Sequence, residues 1–341
     1  MVFGVAVFIV TLAALAGAAN FKRVACPDGN FASHEAVSFP FCTRLFDSQC
    51  GEDVHEVVRL TFHDAIGFSK SESGQLKGRG ADGLIIHFGD IETNFTANAG
   101  IDEAVDALAP FLTRHEVSAG DLIQFAGAVG ISNCPGAPRL QFLAGRPNAT
   151  FPADDGTVPL PESNATTILE RMDDGGFTPA ETIHLLASHS IARSDTLVTN
   201  HSAVPFDSTP FVLDMQIFLE VLLKGVGVPF GMNNTDGAEW TACEWQSMVD
   251  NQQLMMVNFR RALAKLAVVG QDVKKLVDCS DIIPQPTVLL NKRATLPAGK
   301  TIADIEQVCP GPFPAIAADP GKTTQIPECP DGDLNIDHFP S

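Results

Sequence analysis

Apolar residues recur at helical spacing over residues 49–66, where Val54, Val57, Val58, Leu60 and Phe62 sit among polar positions. Residues 101–114 repeat the pattern with Ile101, Val105, Leu108, Phe111 and Leu112. Ser118 with Asp121 resembles a capping box ahead of the apolar run LIQFAGAVG. Thr178-Pro179-Ala180-Glu181 is a stronger start, with N-cap Thr, N1 Pro and N3 Glu, and it opens a predicted helix through Ser188. Residues 212–224 and 247–269 are predicted as further helices. Strand signals are sparse. Gly- and Pro-rich loops are expected at 67–83, 134–163 and 280–300, and the proline-rich tail 310–341 is expected to wrap the surface. The predicted fold class is mainly α with little β.

Composition narrows the function. The chain has 341 residues, 45% hydrophobic and 18% charged, which suits a core-forming protein and not a disordered one. Its net charge of −19 argues against nucleic acid as a partner, because phosphate binding needs a basic surface. Small cations and uncharged substrates remain compatible. The absence of tyrosine excludes a side-chain phenol as acid, nucleophile or radical relay.

The opening run MVFGVAVFIVTLAALAGAA is uncharged, apolar and ends in small residues, as a secretory signal does. A membrane anchor is the alternative reading. Lys22-Arg23 is a dibasic processing site. The expected organisation is a signal peptide at 1–19, a propeptide at 20–23 and one domain from Val24 to Ser341, secreted and free of the membrane after cleavage. The eight cysteines are Cys26, Cys42, Cys50, Cys134, Cys243, Cys279, Cys309 and Cys329. In a secreted chain they imply disulfides, and without a C-x-x-C pair they do not suggest zinc. Glycosylation sequons occur at Asn94, Asn148, Asn164, Asn200 and Asn233.

The first predicted helix carries a stripe of ionisable groups. Glu52, Glu56, Arg59 and His63 fall within about 60° of arc at 100° per residue. Taken alone, the stripe reads as a solvated face with a Glu–Arg pair. Its surroundings change that reading. Asp64 follows His63, and the glycine-rich GRGADG then delivers Asp82. His189 is followed by Ser190 and, later, by PFDSTPFVLD with Asp207, Thr209 and Asp214. A histidine followed by oxygen-rich loops thus occurs twice. Such loops suit calcium, although ordinary helix capping uses the same residue types.

The motifs RLTFHDAIGF, GADG, IETNF, FAGAVGISNCPG, LLASHSIA, PFDSTP, TACEWQSMV and DCSDIIP resemble those of the secreted fungal haem peroxidases, class II of the plant-peroxidase superfamily. The resemblance implies two mostly helical lobes with haem b between them: a distal lobe at about 24–160, a proximal lobe at about 161–310 and a wrapping tail at 311–341. It implies that His63 is the distal base, Arg59 stabilises charge as the O–O bond breaks, and Asn98 orients His63. Glu92 would buttress Asn98, and Phe62 would wall the pocket. His189 would be the proximal iron ligand, with Phe206 beside it. Asp64, Gly80 and Asp82 match a distal calcium site. Ser190, Asp207, Thr209, Val212 (by its carbonyl) and Asp214 match a proximal one. By the same resemblance, Cys50 pairs with Cys134 and Cys243 with Cys309. Cys42 could pair with Cys279 or with Cys26.

Glu52, Glu56 and Asp195 match the family's manganese site, with Arg193 supporting Glu52. Three carboxylates suit Mn(II), a hard cation. His184 stands where lignin-type and versatile peroxidases carry a surface tryptophan. The resemblance therefore implies a monomeric manganese peroxidase, oxidising Mn(II) with hydrogen peroxide. Its partners would be organic-acid chelators, and phenols or lignin would be oxidised by Mn(III). Three departures stand out. The stretch between Leu223 and Cys243 is short and lacks a matching proximal aspartate, since Asp236 does not align with it. An adjacent cysteine pair is lost near Cys42. Leu84 replaces a calcium-ligating serine. Two other readings stand beside this one: a generic low-potential peroxidase oxidising small phenols at the haem edge, or, from the first departure, a haem-binding protein with impaired turnover.

Overall fold

The computed structural model describes residues 45–72, 80–115, 117–194, 203–224, 239–289, 292–307 and 309–321. The expected signal and propeptide, Cys26, Cys42, Cys329, Asp195, Asp236 and the sequons at Asn200 and Asn233 lie outside them.

The amphipathic segment around residue 60 forms α1, Glu52–Ala65, with Val54, Val57, Val58 and Leu60 buried. Two short helices follow, α2 (Leu84–His87) and α3 (Gly89–Glu92). Then come α4, Asp102–Arg114, and α5, Ala119–Ser132. Every residue of α5 is buried, so it is the central helix of this half. Its N-cap is Ser118, whose hydroxyl accepts the Asp121 N–H. α1 lies against α5, and small residues permit the approach: a Cβ on Gly127 would come within 2.4 Å of Thr61 Cγ2. The Cys50–Cys134 disulfide joins the start of α1 to the end of α5, so the two helices run antiparallel.

The second half is built from α6 (Ala165–Asp174), α7 (Pro179–Leu185), α8 (Gln216–Glu220), α9 (Glu239–Met248) and α10 (Gln252–Leu266). α7 packs against α6, α9 and α10. It carries the predicted capping box between Thr178 and Glu181. The chain then tightens into a 3₁₀ turn, Leu186–Ile191, which presents His189. Cys243–Cys309 ties α9 to the C-terminal segment. Cys279 is also disulfide-bonded, and its three remaining candidate partners lie outside the described residues.

Among the described residues, strands form two antiparallel pairs. β1 (Leu143–Ala144) pairs with β4 (Val277–Asp278), and β2 (Arg193–Ser194) with β3 (Val204–Pro205). A buried arginine links the halves: Arg146 Nη1 pairs with Asp121 Oδ1 at 2.7 Å within the first half, and its Nη2 donates to the Ala267 carbonyl of the second at 2.6 Å. No helix among the described residues is long and apolar enough to cross a membrane.

Two expectations for the helices need correction, and one helix had no expectation. The helix expected over 212–224 is only Gln216–Glu220, because Asp214 and Ser190 hold the preceding backbone in a loop. The helix expected over 247–269 breaks near Asn251, whose side chain caps a new start by accepting the Leu254 N–H. The helix Ala165–Asp174, capped by Asn164, was not predicted.

Candidate active site

The stripe on α1 holds together as a unit. His63 is buried, and its Nδ1 lies 2.6 Å from Asn98 Oδ1. An amide oxygen only accepts, so Nδ1 carries the proton and Nε2 keeps its lone pair. Burial pushes the His63 pKa down to about 3; the Arg59 guanidinium adds to that, and the Asn98 contact opposes it. The ring is therefore neutral over the working pH range. Asn98 sits on the 3₁₀ turn Thr96–Asn98 and donates from Nδ2 to the main-chain carbonyl of Glu92 at 2.9 Å.

The expected buttress is thus the Glu92 backbone. Its carboxylate instead accepts the Ala153 N–H at 2.9 Å, which pins the loop after β1. Burial raises the Glu92 pKa to about 7; the Ala153 N–H opposes the rise and Asp82 adds to it.

Arg59 lies one turn before His63. Its Nη2 donates to the carbonyls of Ala99 (2.8 Å) and Ala97 (3.4 Å), and Nη1 lies 3.8 Å from Glu56 Oε2. The turn that supplies these carbonyls closes at Gly100 (φ +77°), a backbone geometry that favours glycine. Phe62 packs edge-on to His63, with centroids 5.8 Å apart.

In the second half, the His189 ring stacks on Phe206 at 4.8 Å and 19°. Burial lowers its pKa to about 4, leaving a neutral nitrogen able to ligate iron. His63 with an available Nε2, Arg59 beside it, and a neutral His189 flanked by phenylalanine form a donor set that fits haem.

The residues of both candidate calcium sets come together. Ser190 Oγ donates to the Val212 carbonyl and accepts the Asp214 N–H, both at 3.0 Å. Thr209 donates to Asp207 Oδ1 from its N–H (2.7 Å) and to Asp214 Oδ1 from its hydroxyl (3.1 Å). Asp207 Oδ2 is buried without a hydrogen-bond partner. Burial, then Asp214 and Glu220, push the Asp207 carboxyl well above its usual range. Lys292 Nζ, 3.1 Å from Asp214 Oδ2, offsets part of that charge. An unpartnered buried oxygen among crowded acids fits a hard cation.

In the distal set, fully buried Asp64 accepts the Gly83 N–H at 3.1 Å, and burial and Asp82 push its carboxyl well above the usual range. Asp82 is buried next to the carbonyl of Gly80, to which its N–H donates at 2.7 Å. Leu84 is buried beside them and offers no side-chain oxygen.

Glu52 and Glu56 occupy successive turns of α1. Glu52 Oε2 meets Arg193 Nε in a charge contact that is not an aligned hydrogen bond. The third candidate, Asp195, lies outside the described residues. Among the described residues no three His, Cys, Asp or Glu side chains converge as a metal cluster. Each calcium set has two carboxylates, with hydroxyls and carbonyls making up the rest. His184 Nε2 pairs with Glu244 Oε1 at 2.7 Å. Trp245 is partly buried on Phe218 and donates to its carbonyl at 2.8 Å. Sequence reasoning missed Glu220, which receives the Ser208 N–H and Gln216 Nε2, because an isolated acid in an apolar helix carries no motif.

Residues 41–254 match the family model "Peroxidase", and residues 254–330 match "Fungal peroxidase extension region". Manganese peroxidase H4 of Phanerodontia chrysosporium is 46% identical over 98% of this chain and 97% of its own length. Versatile peroxidase VPS1 of Pleurotus eryngii is 48% identical over 91% and 92%. Ligninase H2 of Phanerodontia chrysosporium is 41% identical over 91% of each. The chain belongs to the fungal class II haem peroxidases.

Proposed function

We propose that the protein is a secreted manganese peroxidase, which uses hydrogen peroxide to oxidise Mn(II) to Mn(III). Chelated by organic acids, Mn(III) then oxidises phenols, including those of lignin. The observation that carries this reading is the Arg193–Glu52 ion pair one helical turn from Glu56. It holds one carboxylate of a pair that can share a divalent ion. Asp195 would be the third ligand. The His184–Glu244 pair fills the position where a surface tryptophan would take electrons from bulky aromatics.

Haem, when bound, supplies the iron at which peroxide is reduced. His189 would hold it, with Phe206 fixing the ring plane. His63 Nε2 would take a proton from one oxygen of hydrogen peroxide and return it to the other as the O–O bond breaks. Arg59 stabilises the negative charge that develops there. Overall, one peroxide, two protons and two Mn(II) give two waters and two Mn(III). Asp64, Gly80 and Asp82 on one side, and Ser190, Asp207, Thr209, Val212 and Asp214 on the other, would hold two Ca²⁺. The mature monomer would run from Val24, with lobes meeting near residue 160 and a tail from 311. The test compares oxidation of a small phenol with and without Mn(II). Strong dependence on Mn(II) is expected. Equal rates would favour oxidation at the haem edge, and a haem spectrum with no response to peroxide would indicate impaired turnover.

A further inference from the structure

His55 sits on α1 between Glu52 and Glu56. It is only 5% exposed, and neither ring nitrogen has a hydrogen-bond partner. A buried imidazole in that state is costly, and such groups in folded proteins call for an explanation. Two neighbours supply one. His55 Nδ1 lies 3.7 Å from Glu52 Oε2, one helical turn earlier. Its ring also lies nearly parallel to Phe211, with centroids 6.3 Å apart. Phe211 is 51% exposed and belongs to the loop that carries Thr209 and Val212. The same Oε2 of Glu52 meets Arg193.

We propose that His55 is a positioning residue for Glu52. Seated on Phe211, the ring directs Nδ1–H at Oε2, and a small turn of the carboxylate closes the hydrogen bond. Oε2 is then held from two sides, by His55 and Arg193, and Oε1 is left for the divalent cation. Fixing the carboxylate in advance lowers the ordering cost of binding, and partners behind a metal-binding group commonly change affinity by about 10–100-fold. The inference rests on the reading of Glu52 and Glu56 as the manganese site.

The test uses the haem-loaded, full-length protein. Mn(II) affinity of the resting protein is read from the EPR signal of free Mn(II), and the steady-state KM and kcat are measured alongside it. His55→Phe keeps a ring against Phe211 and removes the N–H. It should raise Kd and KM for Mn(II) about tenfold, leaving kcat at saturating Mn(II) and Mn(II)-free phenol oxidation unchanged. His55→Asn, which restores an N–H near Nδ1, should recover most of the affinity. Wild-type affinity in His55→Phe overturns the proposal. So does a parallel loss of both activities that Asn does not rescue, since that marks a purely structural role. If His55→Phe does not fold, Phe211→Ala at its half-exposed position serves instead. It should raise the Mn(II) Kd, and an unchanged Kd overturns the proposal. Glu56→Ala separates the two readings. If it retains Mn(II) binding, the site itself is misassigned. If it loses binding while His55→Phe does not, only the role of His55 fails.

Discussion

Asn98 Oδ1 lies 2.6 Å from His63 Nδ1, and the same amide donates to the Glu92 carbonyl. One side chain therefore sets both the tautomer and the orientation of the base, and the chain's own backbone anchors that side chain. Asn98→Val should lower the rate of reaction with hydrogen peroxide by roughly 10²-fold, the scale of general-base catalysis. Stopped-flow absorbance checks it. Glu92→Gln should cost much less, because the anchor is a main-chain carbonyl.

The pH dependence follows from His63. Its pKa is lowered to about 3, so the ring is already neutral across ordinary pH and loses its proton-accepting role only when protonated. In a pH-jump stopped-flow experiment, the peroxide reaction should stay flat from neutral pH down to about 3 and fall below it. A decline centred near the ordinary histidine value, about 6.5, would show that His63 is not buried as described.

Calcium removal should destabilise the proximal loop. With no cation, Asp207 Oδ2 is buried and unpartnered beside Asp214. Asp207→Asn removes that charge. It should melt above the wild type in a chelator such as EGTA and below it with excess Ca²⁺. Thermal melts under both conditions check the inversion, and the same ranking in both would remove Asp207 from the ligand set.

The Arg146–Asp121 pair is a structural tie, because both side chains are fully buried. Removing one partner leaves an uncompensated charge, which typically costs about 3–5 kcal/mol. Arg146→Met should lose that much in denaturant unfolding, and the double variant Arg146→Met/Asp121→Leu should recover part of it.

Much of the site was legible because its signals are local. Helical periodicity alone puts Glu52, Glu56, Arg59 and His63 on one face. The run from Asp207 to Asp214 carries its hydroxyls and carboxylates within eight positions. What stayed hidden depends on tertiary contact. The Glu92 backbone carbonyl has no sequence signature, and its carboxylate is engaged 61 residues away at Ala153. His55 reads as an ordinary polar helix position until Phe211 is folded against it. The short α8 reads longer in the sequence because apolar Val212 and Leu213 continue the helical pattern, whereas Ser190 and Asp214 claim the backbone first.

The central claim is most directly tested by Mn(III) formation. With hydrogen peroxide and malonate, the wild type should accumulate the Mn(III)–malonate absorbance. Glu52→Ala/Glu56→Ala should lose nearly all of it, yet still oxidise a small phenol without Mn(II). Full Mn(III) formation by the double variant would contradict the account.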